Sequence, residues 1–177
     1  SKKLNKNTVV TTVMSNLGFE IYLKEKLGVK LIRENVGDIN VISNMKKNSY
    51  NLGGEQSGHI ILGQYMNTGD GILAAIKVIE SLSKNNLKAS NLFNLFKKFP
   101  QNKQNIKLSM ELTKLQQNKI KNLCLSYMKK YKNLRFLVRK SGTEPLIRIL
   151  VEGKEEFIVN KVAAKLMKQL KEIISVK

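Results

Sequence analysis

Short β-branched runs alternate with helix-period stretches along this chain, and that alternation restricts it to layered α/β architectures. Thr8-Val9-Val10-Thr11-Thr12-Val13 is β-branched and apolar throughout, the pattern of a buried strand. Ser15 or Asn16 can cap a helix running to about residue 27, with Gly28 as its stop. A second strand is predicted over 29–32, and Val36-Gly37-Asp38 reads as a turn into a helix ending near residue 47. Short strands follow over 50–53 and 60–62. Thr68-Gly69-Asp70-Gly71 then opens an apolar helix over 72–82, with Asp70 placed to favour its N-terminus. A short helix is expected over 90–99, stopped by Pro100.

Residues 100–105 are polar and lack apolar periodicity, so they read as a linker between a first domain, 1–99, and a second, 104–177. The second domain is expected to hold a strand over 106–110 and a helix over 115–131. Two strands over 134–138 and 147–151 and a terminal helix over 155–174 complete it. Phe157, Val159, Val162, Ala163, Leu166, Met167 and Leu170 form the apolar stripe of that last helix. This is a small α+β domain with helices on one face of a sheet. No internal repeat is visible.

With 42% hydrophobic residues in 177, the chain can bury a core. Its formal net charge of +19 favours anionic partners. The cations are nearly all Lys, with Arg only at 33, 135, 139 and 148. Lys is a solvated point charge and a poor reader of base edges. Trp is absent and aromatics are 6%, so no stacking platform for single strands is evident. The composition therefore favours a lysine-rich solvated surface, with a basic, non-catalytic polyanion- or RNA-binding module as the alternative. Cys124 is the only cysteine, which excludes an intramolecular disulfide and fits a reducing compartment. Its apolar helical neighbours suggest a buried structural thiol. No apolar run approaches the ~18 residues of a membrane span, and a cytoplasmic location is expected. The chain opens on Ser1 rather than Met, as expected of a fragment or a processed product.

Two loops carry chemistry. Arg139-Lys140-Ser141-Gly142-Thr143-Glu144-Pro145-Leu146-Ile147-Arg148 joins two predicted strands. Arg139 and Arg148 offer planar paired donors that match phosphate oxygens. Ser141 and Thr143 add neutral donors, and Gly142 is expected to turn the backbone through positive φ so that N–H groups converge on an anion. The competing reading is a hairpin turn with two surface arginines. Gly53-Gly54-Glu55-Gln56-Ser57-Gly58-His59 is the second. Glu55, Gln56 and Ser57 put a carboxylate, an amide and a hydroxyl within three residues, a set able to bind sugar hydroxyls or an amine. A glycine-rich turn with solvated polar groups is the competing reading. His59, the only histidine, fits either an acid/base or phosphate role or a structural hydrogen bond. No Cys/His set has zinc spacing. Asp38 and Asp70 are isolated, so no acidic magnesium loop is present among these residues.

The two loops in this order, with Thr11-Thr12-Val13-Met14-Ser15-Asn16, Val36-Gly37-Asp38, Thr68 to Ile72 and Lys98-Phe99-Pro100, resemble the α-D-phosphohexomutase superfamily over nearly the whole chain. The Gly-Glu-Gln-Ser-Gly-His and Arg-x-Ser-Gly-Thr-Glu-Pro forms resemble its glucosamine branch. The resemblance implies four domains around a cleft: a phosphoserine domain, a magnesium-loop domain, an α/β sugar-recognition domain and a TATA-binding-protein-like α+β domain. This chain corresponds to most of the third and to the fourth. Glu55, Gln56, Ser57 and His59 would form the sugar-binding set, and Arg139, Ser141, Gly142, Thr143 and Arg148 would hold the phosphate that is not reacting. The implied activity is an isomerase's transfer of phosphate between the 6- and 1-positions of glucosamine, through a bisphosphorylated sugar, for UDP-N-acetylglucosamine and cell-wall synthesis. The Mg2+ ligands and phosphoserine would lie in the N-terminal half of the enzyme, so these residues include no catalytic group and are expected to be inactive alone. The implied partners are the phosphosugar and that N-terminal half; no membrane partner is implied and nucleic acid is disfavoured. One departure is Ile39-Asn40, where the family continues Val-Gly-Asp with Arg.

Overall fold

The structure, a computed structural model, describes residues 4–86 and 88–175. It divides into two compact units, Ser1–Lys98 and Phe99–Lys177.

The first unit contains β1 (Thr8–Thr12), α1 (Leu17–Leu27), β2 (Lys30–Glu34), α2 (Asp38–Asn48), β3 (Leu52–Gly54), β4 (Ile60–Leu62), α3 (Gly71–Asn85) and α4 (Ala89–Leu92). The sheet order is β2-β1-β3-β4. β1 runs parallel to both β2 and β3, and β4 returns antiparallel to β3. Every residue of β1 is buried, as a central parallel strand covered on both faces requires. Val10 packs with Val41 and Met45 of α2 and with Ile61 of β4. Gly53 lets this layer close, because a Cβ there would stand 2.8 Å from Val41 Cγ1 and 3.0 Å from the Val10 carbonyl oxygen.

Asn16 caps α1 by accepting from the Gly18 N–H at 2.9 Å, and Gly28 ends it at φ 63°. Asp70 caps α3 through the Leu73 N–H, also at 2.9 Å. The helix expected over 90–99 reduces to the four residues of α4. Beyond it Phe96 stacks on Phe19 and Tyr22, at centroid distances of 5.4 and 6.0 Å, and Pro100 biases the preceding residue toward extended backbone.

The second unit contains β5 (Gln101–Lys107), α5 (Lys114–Lys130), β6 (Leu134–Lys140), β7 (Leu146–Gly153) and α6 (Glu156–Ser175). Its sheet is antiparallel, in the order β5-β7-β6. The segment 100–105, expected as a linker, is mostly strand: β5 pairs along its whole length with β7. An edge strand is held by backbone hydrogen bonds and needs no apolar period. Its polar side chains pair instead, Gln101 with Glu152 at 2.6 Å and Asn102 with Asn160 at 2.8 Å. The strand expected over 106–110 therefore ends at Lys107. Thr113 and Gln116 form a reciprocal capping box that starts α5.

Ile147, Ile149 and Val151 of β7 and Phe136 of β6 join Val159, Val162, Ala163, Leu166 and Leu170 of α6 in the core. The alternation of side chains then sends Arg135, Arg139, Arg148 and Glu152 to the opposite face. There Glu152 is 0% exposed, and its carboxylate accepts from Arg135 Nε at 2.8 Å. No described helix is long and apolar enough to cross a membrane.

Removing the cation from this buried pair leaves a desolvated carboxylate. Arg135→Met is therefore expected to lower the urea-unfolding free energy by about 3 kcal/mol. A loss below about 1 kcal/mol would show that Gln101 and water suffice for Glu152.

Candidate functional site

In the first unit the chain leaves β1 for β2 on one side and returns across β1 to β3 on the other. Open α/β sheets bind ligands at such a switch point, outside the carboxyl ends of the strands. Here the loops after β1, β2 and β3 meet. Thr11 Oγ1 donates to the Gly54 carbonyl at 2.8 Å and bonds Ser15 Oγ. Thr12 Oγ1 donates to Gln56 Oε1 at 3.2 Å. Arg33 ties down the first loop, donating to the Ser15 carbonyl at 2.6 Å while its Nη2 pairs with Glu20 at 2.9 Å.

Glu55 is half-buried, and its Oε1 accepts from the Gly37 N–H at 3.0 Å. Oε2 has only a 3.5 Å approach from Ser57 Oγ, at the edge of hydrogen bonding. The turn is closed by the Glu55 N–H on the His59 carbonyl at 2.9 Å and the Gly58 N–H on the Glu55 carbonyl at 3.1 Å. Gly58 sits at φ 105°, a region L side chains rarely adopt. A Cβ on Gly54 would stand 2.5 Å from the His59 carbonyl oxygen. Gln56, Ser57 and His59 are exposed, with His59 Nδ1 3.5 Å from Ser57 Oγ. The result is a braced loop offering a carboxylate oxygen, an amide, a hydroxyl and an imidazole. Thr11, Thr12 and Gly37 support it. They carry no signal as ligands in the sequence, because only the strand order brings them to the loop. Ile39, where the family resemblance expects a cation, opens α2 as a 69% exposed apolar side chain.

In the second unit, β6 and β7 place Arg139 directly opposite Arg148, with Asn105 of β5 next across from Arg148. Like charges directly opposite in a sheet are destabilising. Both Nε atoms are buried and lack a hydrogen-bond partner. Arg148 Nη2 donates to Glu144 Oε2 at 2.6 Å, whereas Arg139 has no ion pair among the described residues. Ser141 is 6% exposed, and its N–H donates to the Leu146 carbonyl at 2.8 Å. Gly142 and Thr143 are exposed. Gly142 is not among the positive-φ glycines, and a Cβ there would meet nothing. The left-handed turn expected of it is absent: the hydrogen bond from Leu146 N–H to the Glu144 carbonyl, 2.8 Å, tightens the loop instead.

Ser141, Gly142, Thr143 and Glu144 of this loop line a cavity of about 380 Å³ with Leu108, Glu111 and Lys140. Neither arginine reaches that cavity. A second hollow of about 480 Å³ lies between α5 and β6 and includes Cys124. The thiol is only half-buried, contrary to the expectation of a buried one. Desolvation still raises its pKa, which disfavours the thiolate and argues against a nucleophile. Among the described residues no group of three or more His, Cys, Asp or Glu can hold a metal ion.

The second unit thus has an opposed arginine pair beside a hydroxyl-bearing loop, and the first has a polar loop at a switch point. Residues 1–99 match the family description "Phosphoglucomutase/phosphomannomutase, alpha/beta/alpha domain III", and residues 127–169 match "Phosphoglucomutase/phosphomannomutase, C-terminal domain". The chain belongs to this phosphohexomutase family. Its curated relatives include a phosphoglucosamine mutase of Thermodesulfovibrio yellowstonii, 47% identical over 156 residues, covering 86% of this chain and 34% of the relative. Another, from Clostridium kluyveri, is 41% identical over 179 residues, covering 99% of this chain and 38% of the relative. The chain thus spans little more than a third of these relatives, in their C-terminal portion. Among solved structures, Aspergillus fumigatus N-acetylphosphoglucosamine mutase in complex with GlcNAc-6P and magnesium superposes with a TM-score of 0.74 at 16% identity. That match covers 95% of this chain and 39% of the other. At such identity the likeness concerns the fold.

The opposed arginines carry a stability cost. Arg139→Met keeps the apolar stem and removes both the repulsion and one unpartnered Nε. It is expected to raise the stability of the free chain by about 0.5–1 kcal/mol and to reduce any further stabilisation by phosphate. Urea unfolding with and without saturating phosphate measures both; a less stable variant would mean that the guanidinium's packing outweighs its charge.

Proposed function

We propose that this chain is the substrate-holding C-terminal part of a phosphoglucosamine mutase. In this reading Arg139, Arg148, Ser141, Gly142 and Thr143 hold the phosphate that is not reacting, and Glu55, Gln56, Ser57 and His59 read the sugar. The observation that carries it is the Arg139–Arg148 pair, directly opposed across β6 and β7 with both Nε atoms buried and unpartnered. A purely structural role would neutralise the pair, as Arg135 and Glu152 neutralise each other; two opposed guanidiniums with a single carboxylate beside them favour an anionic ligand.

The parent enzyme would interconvert glucosamine 6-phosphate and glucosamine 1-phosphate in the cytoplasm, through a bisphosphorylated sugar. Magnesium would neutralise charge on the phosphoryl group in transfer, at ligands outside these residues, as would the phosphoserine. Phosphoryl transfer depends on positioning and charge neutralisation more than on covalent work by the protein. A clamp on the remote phosphate contributes to positioning the reacting end. One clamp and one sugar loop also suit a substrate that binds in two orientations, each presenting a phosphate and a hydroxyl-rich edge.

The direct test is an NMR titration of the chain with glucosamine 6-phosphate. Shifts are expected at Ser141, Gly142 and Thr143, with a shallow salt dependence. Arg139→Ala should weaken binding about tenfold or more, and Arg139→Lys should restore little, because Lys lacks the planar fork. Shifts spread over surface lysines with a steep salt slope, unchanged by Arg139→Ala, would favour a polyanion-binding module instead.

The sugar loop is tested in the full-length enzyme. Glu55→Gln keeps the shape but loses the charge that strengthens hydrogen bonds to hydroxyls and to an amino group. It is expected to lower kcat/KM more for glucosamine phosphate than for glucose phosphate. Equal losses would remove the amino-group contact, and unchanged kcat/KM for both sugars would return the loop to a plain glycine turn.

A further inference from the structure

Resting on the clamp reading above, the geometry points to Glu144 as an internal placeholder that occupies Arg148 when the clamp is empty and must yield when a phosphate dianion enters. Glu144 lies in the loop itself, four residues before Arg148, and its Oε2 accepts from Arg148 Nη2 at 2.6 Å. Both side chains are partly solvent-exposed, 54% for Glu144 and 42% for Arg148. The pair is therefore weak and easily exchanged. Arg139, across the sheet, has no such partner among the described residues. The clamp's own side chains thus include two guanidiniums and one carboxylate.

The consequence is a selectivity filter. A monoanion that reaches Arg148 only replaces one carboxylate with another and gains little. A phosphate dianion carries more charge and enough oxygens to engage both guanidiniums and the loop donors together, so it alone outcompetes Glu144. The placeholder also limits affinity. That matters if the bound sugar has to let go and re-enter with its other end foremost. Glu144 offsets part of the charge on Arg148 and, by competing for that guanidinium, helps the clamp release its ligand.

The test is a titration of the chain with inorganic phosphate, and in parallel with acetate, followed by backbone amide and side-chain carboxyl NMR. In the wild type the Glu144 carboxyl resonance should move in step with the amides of Ser141, Gly142 and Thr143 as phosphate binds. Glu144→Gln should bind phosphate about fivefold more tightly, the scale of an exposed ion pair, and should narrow the preference for phosphate over acetate. A variant that binds phosphate no more tightly, or a Glu144 resonance that stays fixed to saturation, overturns the placeholder. Arg139→Ala separates the two ideas. If it weakens binding while Glu144→Gln changes nothing, the clamp stands and the placeholder falls. If Arg139→Ala changes nothing, both fall.

Discussion

The pairing register of β6 with β7 is the constraint on which the second unit depends. Ile147, Ile149 and Val151 face the helices, and the period of two leaves Arg148 and Glu152 no choice but the other face. A slip of one residue would drive Arg139 and Arg148 toward α5 and α6 and expose the isoleucines. The hydrophobic core therefore sets the position of the guanidiniums as firmly as any contact they make themselves. The same register brings Arg135 onto Glu152 and Arg139 onto Arg148, four residues apart on one strand. One cross-strand pair is neutralised and buried; the other is left with like charges opposed.

That contrast sets two cross-strand pairs of a single sheet face apart. Arg135 sits over a carboxylate that is fully buried, and Gln101 also donates to that carboxylate. Arg139 and Arg148 keep buried nitrogen donors without partners, which folding alone would not favour. Local rule-breaking of this kind, supported by a well-packed core on the far side of the sheet, is where binding sites are found. The first unit shows the same division. Gly53 permits the close packing of α2 on β1, while Gly54 and Gly58 allow the sharp return that displays Glu55 and Ser57.

The sequence by itself determined the order of strands and helices, the Asn16 and Gly28 ends of α1, the Asp70 cap of α3 and the apolar stripe of α6. These depend on local pattern and local hydrogen bonds. It also marked both polar loops, since their chemistry is concentrated in a few adjacent residues. Tertiary structure alone decided the rest. The part of β5 over 101–105 was illegible because an edge strand is stabilised by the backbone of β7 and by polar pairs such as Asn102 with Asn160, which leave no apolar period. The supporting roles of Thr11, Thr12 and Gly37 required the strand order β2-β1-β3, which brings three loops to one switch point. The opposition of Arg139 to Arg148 required the β6–β7 register, and the occupation of Arg148 by Glu144 required the path of the loop between them. Both are contacts between backbone segments that the chain must fold to bring together, and no local periodicity encodes them.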